Sequence, residues 1–252
     1  MKRKLLLTFA MLIGVAQMSW CLDLLYFEDY NSGDNSVTLK YGTLPSLYDA
    51  SYDPTQYHGT GTIWNIKTGS SLDETKVKTI NVDASCQNFA GTNLDRLFYD
   101  FRSLKIINNI ENLNTSTATY MGMMFSNCMS LKTLDLSSFN TANVEAMEYM
   151  FQYCSALESL NVSNFNTAKV TTMNSMFAYC NKLQTLDISS FDTSNVEDMS
   201  FMFSQSTLLQ TLTMTGFKTD KATTMRSMFE NCIYIKYQKG SSHGERWSDT
   251  CK

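Results

Sequence analysis

The stretch Met150-Phe-Gln-Tyr-Cys-Ser-Ala-Leu-Glu-Ser-Leu-Asn-Val-Ser-Asn-Phe-Asn-Thr-Ala-Lys-Val-Thr-Thr-Met173 decides the fold, because the chain repeats it. Its opening dipeptide recurs at Met124-Phe125, Met176-Phe177, Met202-Phe203 and Met228-Phe229, always at the same 26-residue interval. The register holds around each copy. Cys128, Cys154, Cys180, Ser206 and Cys232 stand four positions after the methionine, and Leu131, Leu157, Leu183, Leu209 and Ile235 stand seven after it. Phe139, Phe165, Phe191 and Phe217 follow, each with a threonine two positions on: Thr141, Thr167, Thr193 and Thr219. A fixed period of 20–29 residues rich in leucine is the signature of a leucine-rich-type repeat. One such unit cannot bury its own apolar face, so its stability has to come from stacking on its neighbours.

Two periodicities alternate inside a unit. Leu134-Asp135-Leu136 and Leu160-Asn161-Val162 alternate apolar and polar, which predicts a short strand with one buried face. Val144, Met147, Met150, Phe151 and Cys154 are spaced by threes and fours, which predicts one face of a short helix. The expected fold class is therefore α/β, a leucine-rich-repeat-type solenoid of short parallel strands and short helices with a small β-rich N-terminal cap. A degraded unit lies upstream: Leu97-Phe98 stands for Met-Phe and Leu113-Asn114-Thr115 for Phe-Asn-Thr. Leu113 precedes Phe139 by the repeat interval, but Leu97 precedes Met124 by one position more, so one residue is inserted between Leu104 and Leu113.

Outward from the repeats, the chain divides into a signal peptide at 1–16, a β-rich cap region at 17–94, the repeats at 95–237 and a polar tail or cap at 238–252. Lys2, Arg3 and Lys4 precede an apolar run, Leu5 to Ala16, that is too short to span a bilayer. Cleavage before Gln17 would leave no transmembrane segment; a short uncleaved anchor is the alternative. Lipid anchoring at Cys21 is less favoured, because Trp20 stands where a lipoprotein signal calls for a small residue. The expected location is therefore extracellular or at the cell surface. A net charge of -4 and a pI near 5.2 argue against nucleic acid as partner, which demands a basic surface.

The quoted stretch closely resembles the repeat of BspA-like leucine-rich-repeat surface proteins, whose pattern is roughly MFxxCxxLxxLDLSxFNTSNVTxMxxMF and which also occurs in mycoplasma lipoproteins. The resemblance reaches upstream through Ile110-Glu-Asn-Leu-Asn-Thr115 and Val77-Lys-Thr-Ile-Asn-Val-Asp-Ala-Ser85, and weakly to Val37-Thr-Leu-Lys-Tyr41 and Trp64. It implies a surface adhesin that contacts host or neighbouring-cell proteins.

The residues themselves offer no catalytic constellation, no cofactor site and no metal site. The two histidines, His58 and His243, lie outside the repeats, and no nucleophile elbow, zinc-binding spacing or phosphate loop is present. His58-Gly59-Thr60-Gly61-Thr62 reads as a turn. The recurring methionines read as core filling. Cys128, Cys154 and Cys180 read as a reduced, buried column in which Ser206 is a harmless interruption, while export would allow Cys232 to pair with Cys251. Asp135 and Asp187 should lie about 10 Å apart across two strand spacings, which suits a solvated strand face better than a carboxylate pair.

That strand face is the candidate protein-binding surface. Its columns are Thr133, Ser159, Thr185, Thr211; Asp135, Asn161, Asp187, Thr213; and Ser137, Ser163, Ser189, Thr215. Tyr149, Tyr153 and Tyr179, with Phe201 at the Tyr149 position, offer aromatic handles on the other side. The expected function is a non-enzymatic binding protein. The alternatives are a carbohydrate-binding module using the aromatics of 22–94 (Tyr26, Tyr30, Tyr41, Tyr48, Tyr52, Tyr57 and Trp64), or a structural spacer of a larger assembly.

Overall fold

A computed structural model of the protein describes residues 23–43 and 74–235. The expected signal segment at 1–16, Cys21, His58, Trp64, His243 and Cys251 lie outside those residues. The chain begins with an antiparallel hairpin, β1 (Asp23–Asn31) and β2 (Ser36–Thr43). Asx contacts close its turn: Gly33 N donates to Asn31 Oδ1 and Ser36 N to Asp34 Oδ1, each at 2.9 Å. β2 then pairs in parallel with β3 (Thr79–Val82), and β3 with β4 (Ile106–Asn108), giving one four-stranded sheet. The hairpin thus joins directly to the first repeat-like strands, and Leu25, Phe27, Val37 and Leu39 are buried with Ile80 and Val82 in one continuous core.

The strands of the clean repeats follow as β5 (Thr133–Asp135), β6 (Ser159–Asn161), β7 (Thr185–Asp187) and β8 (Thr211–Thr213). β5 pairs with β6 and β7 with β8, both parallel and both offset by one repeat interval: Asp135 faces Asn161 and Asp187 faces Thr213. The predicted strands therefore form, one residue earlier than the alternation suggested.

The expected helices do not form. Among the described residues there is no α-helix, only short 3-10 turns at Glu74–Lys76, Ala84–Asn88 and Ile110–Asn112. In place of each helix stands a run of tight turns whose amides alternate between two partners. In the unit from Met147 to Cys154, the Tyr149, Phe151 and Tyr153 N–H groups donate forward to the Asn174, Met176 and Ala178 carbonyls of the next unit, at 2.8–2.9 Å. The intervening Met150, Gln152 and Cys154 N–H groups donate back three residues, to Met147, Tyr149 and Phe151. A helix would need every one of these amides to bond four residues back.

Residues with left-handed backbone break the helical path twice per unit, at φ 57° and 60° for Tyr149 and Tyr153, and likewise at Met123 and Asn127, Ser175 and Tyr179, and Phe201 and Gln205. For a non-glycine residue that conformation costs about 1–2 kcal/mol, and the ladder of bonds to the neighbouring unit offsets it. Consecutive three-residue turns bring every third or fourth side chain inward. That is why the apolar spacing imitated a helix.

The core is a set of columns running through the stack. Phe98, Phe125, Phe151, Phe177, Phe203 and Phe229 stack in series with ring centroids 5.2–5.6 Å apart. After the first pair the planes lie within 8° of parallel. Met121, Met147, Met173 and Met199, and Met124, Met150, Met176 and Met202, are fully buried beside them, as core filling requires. The inserted residue of the degraded unit is Asn109. β4 precedes β5 by one position more than the repeat interval, yet the turn beyond it is back in register: Leu113 N donates to Ile110 O as Phe139 N does to Leu136 O. Asn109 takes up the extra length at φ 56°, a conformation asparagine tolerates.

Candidate functional site

The strand face begins with the pleat of each strand, which puts alternate side chains outward. Thr133 and Asp135 are exposed on β5, as are Thr185 and Asp187 on β7, while Leu134 and Leu186 between them are buried. Ser159 sits opposite Thr133, and Thr211 opposite Thr185. The third column, Ser137, Ser163, Ser189 and Thr215, lies past the strand ends in the following turn. β6 and β7 are not laddered together, so the face consists of two paired strips.

The acidic column has structural work. Asp135 Oδ1 accepts from Ser137 N at 2.9 Å, Asn161 Oδ1 from Ser163 N at 3.1 Å, and Asp187 Oδ1 from Ser189 N at 2.9 Å. Each closes an Asx turn that ends the strand. Asn161 Nδ2 also donates to Asp135 Oδ1 at 2.9 Å. The backbone and hydroxyl of Ser137, with Asn161, hold the Asp135 carboxyl below the ordinary carboxylate range; the Ser189 hydroxyl and backbone do the same for Asp187. Both stay ionised near neutrality. Chemically, the face can accept hydrogen bonds and attract cations, but it holds no carboxyl poised as a proton donor.

The cysteine column is buried, and Cys128, Cys154 and Cys180 are free thiols. They are more than small hydrophobes. Each donates to the carbonyl of the Met-Phe phenylalanine one unit back: Cys128 to Phe98 O at 3.2 Å, Cys154 to Phe125 O at 3.2 Å, Cys180 to Phe151 O at 3.3 Å. Ser206 makes the same bond to Phe177 O at 2.7 Å, which explains why serine substitutes there. Cys232 Sγ reaches Phe203 O at 2.9 Å; its expected pairing with Cys251 falls outside the described residues. Burial pushes the Cys154 thiol up to about 12, and raises Cys128 and Cys180 well above the usual range. These groups are hydrogen-bond donors and not nucleophiles.

The recurring threonines form a second column, whose role the sequence did not reveal. The threonine of Phe-Asn-Thr is buried and grips the next unit: Thr141 Oγ1 donates to Asn166 O at 2.9 Å and accepts from Asn166 N at 2.7 Å. Thr115 and Thr193 repeat both bonds with Asn140 and Lys218. The regular recurrence of threonine beside exposed Asn and Asp was the available signal. On the turn side, Tyr153 and Tyr179 stack at 4.4 Å, and the Arg226 guanidinium lies 5.7 Å from the Phe201 ring centre. No three His, Cys, Asp or Glu side chains among the described residues gather to hold a metal ion, and no described helix is long and apolar enough to cross a membrane.

The family described as "Mycoplasma protein of unknown function, DUF285" matches residues 75–161 and again 157–242, together two thirds of the chain. The chain belongs to the DUF285 family. That is the Mycoplasma and BspA-like repeat family, in agreement with the BspA-like resemblance of the repeat.

Two solved structures are similar to this DUF285 member at low identity. One is a leucine-rich cell surface protein from Faecalibacterium prausnitzii A2-165, at 18% identity and TM-score 0.39, covering 88% of this chain and 54% of that one. The other is a leucine-rich repeat protein from Bacteroides ovatus ATCC 8483, at 15% identity and TM-score 0.33, covering 77% of this chain and 53% of that one. The chain thus spans about half the length of each. No curated protein matches it significantly.

Proposed function

We propose that this DUF285 member is a non-enzymatic binding protein of the cell surface, in which the stacked units run as one solenoid and the strand face contacts a protein on a host or neighbouring cell. The observation that carries this reading is the pair of strips in which exposed Thr133, Asp135 and Ser159 lie beside half-buried Asn161, and exposed Thr185 and Asp187 beside half-buried Thr211 and Thr213. Their side chains are small, hydrogen-bonding and regularly spaced, and the carboxylates among them are fixed in place by Asx turns. A surface held rigid in this way loses little conformational entropy when a partner docks. Export through residues 1–16 is part of the same proposal.

Thr133 and Thr185 are the informative positions. Their side chains make no hydrogen bond among the described residues, whereas Asp135 and Asp187 hold the strand ends. Substituting the aspartates would therefore confuse folding with binding. The full chain is to be screened against immobilised extracellular-matrix proteins and glycans. The reading predicts a protein ligand whose affinity falls about tenfold or more in Thr133→Lys/Thr185→Lys, at unchanged thermal stability. Binding confined to glycans, or protein binding indifferent to the double substitution, would refute it.

A further inference from the structure

Among the described residues, the stacked rings of successive units lie in the core with one exception. The buried phenylalanines stack with centroids 5.2–6.1 Å apart. On the turn side, Tyr153 and Tyr179 occupy equivalent positions in neighbouring units, and their rings close to 4.4 Å with planes 21° apart. Tyr153 is 36% exposed and Tyr179 half-buried. The ladder fixes both backbones beneath the rings: Tyr153 N donates to Ala178 O at 2.9 Å and Tyr179 N to Ser204 O at 2.8 Å.

The fold does not call for tyrosine there. Asn127 and Gln205 fill the same position in the units on either side, with the same left-handed backbone at φ 65° and 64°. Asparagine takes up that conformation more readily than tyrosine. The two amides also end the series, so each of these tyrosines has a single tyrosine neighbour. Tyr149 stands in a different column, between Met123 and Ser175.

Two phenols held face to face are the reactants of an oxidative coupling. A one-electron oxidant takes a hydrogen atom from each hydroxyl and leaves a phenoxyl radical, whose unpaired electron is shared with the ring carbons ortho to oxygen. In stacked rings those carbons meet through their π lobes, and a Cε–Cε bond forms between them. Each joined carbon then passes its hydrogen, as a proton, to the oxygen of its own ring, which restores both phenols. The balance is two phenols and one hydrogen peroxide giving one biphenol and two waters. The rings then turn to bring the new bond into both planes, and the exposed side of Tyr153 leaves room for that. Burial is the main cause that raises the Tyr153 hydroxyl above its ordinary range, and the Tyr179 charge and hydroxyl push the same way, so Tyr153 keeps its hydrogen at neutrality.

We propose that Tyr153 and Tyr179 form an oxidative cross-linking site, at which hydrogen peroxide acting through a heme peroxidase joins the two rings and ties one unit covalently to the next. The described cysteines are all free, so this link would supply the constraint on the unfolded chain that a disulfide gives elsewhere. It lies away from the strand face, and its failure would leave the binding reading untouched.

The test treats the dilute full chain with hydrogen peroxide and a heme peroxidase. The expected product is a monomer lighter by two hydrogens, with dityrosine fluorescence, whose tryptic digest joins residues 133–169 to residues 170–182. Tyr153→Phe and Tyr179→Phe should each abolish it. Phenylalanine preserves the ring stack, which an otherwise unchanged amide spectrum checks. Tyr149→Phe should leave the yield unchanged, and the yield should not depend on protein concentration. The linked chain should unfold at a urea midpoint about 1 M above that of the untreated chain. Links made chiefly between chains or through other tyrosines, or an undiminished yield in Tyr153→Phe, would overturn the proposal. An unshifted midpoint in the linked chain would overturn its role as a tie between units.

Discussion

Thr141 offers the sharpest test of what joins one unit to the next. It is 1% exposed, and its hydroxyl both donates to and accepts from the Asn166 backbone, at 2.9 and 2.7 Å. Thr141→Val keeps the side-chain shape and deletes both bonds, so the Asn166 N–H and C=O lose their partners together. Each group left without one costs about 1–3 kcal/mol when buried. Asn166 has an exposed side chain, so water recovers part of that, leaving an expected loss of about 2–3 kcal/mol. In urea unfolding, with a slope of about 1–3 kcal/mol/M, the midpoint should fall by about 1 M at unchanged slope. A Thr141→Val loss below about 0.5 kcal/mol would refute the reasoning.

Other expectations follow from the same columns. Cys154→Ser should be nearly neutral, as Ser206 shows by making the equivalent bond, whereas Cys154→Ala should cost about 1 kcal/mol in thermal or urea unfolding. The Cys154 thiol is raised in the fold from 9.0 to about 12, so its contribution is complete below pH 9 and is lost as pH rises toward 12. Maleimide labelling of the folded chain should therefore spare Cys128, Cys154 and Cys180 at pH 8, and mass mapping reads this directly. Asp135→Asn should leave stability unchanged, because Asn161 closes the same turn in the next unit, while Asp135→Ala should lose about 0.5–1 kcal/mol. Because the folded Asp135 and Asp187 carboxyls lie below the ordinary 3.8, their stabilisation holds above that pH and fades as pH falls through the folded values. Acid titration of their side-chain carbons by NMR measures it.

Much of this architecture could be read from residue recurrence. The 26-residue interval, the buried methionines, the reduced cysteine column and the facing of Asp135 on Asn161 all follow from one rule, that equivalent positions stack on one another. The error lay in the turn run. Val144, Met147, Met150, Phe151 and Cys154 satisfy helical spacing, but consecutive three-residue turns share it, and hydrophobic periodicity does not separate the two. The distinguishing feature is a pair of left-handed residues four positions apart in each unit. Asn127 and Asp100 fit such sites on local grounds, but Tyr149, Tyr153 and Phe201 do not, and they are held there by bonds to the neighbouring unit.

Of the candidate site, the strand face was visible because its columns keep the 26-residue register. The grip of Thr141 on the Asn166 backbone was not, because the recurrence of a threonine does not say which backbone groups its hydroxyl meets.

The central claim is that each turn run directs alternate amides to the next unit and not into a helix of its own. A through-hydrogen-bond scalar coupling experiment on the isotopically labelled chain tests it at one amide. The account predicts a coupling between the Phe151 nitrogen and the Met176 carbonyl carbon, across the 2.9 Å bond. A coupling from Phe151 to the carbonyl of Met147, four residues back, would contradict it.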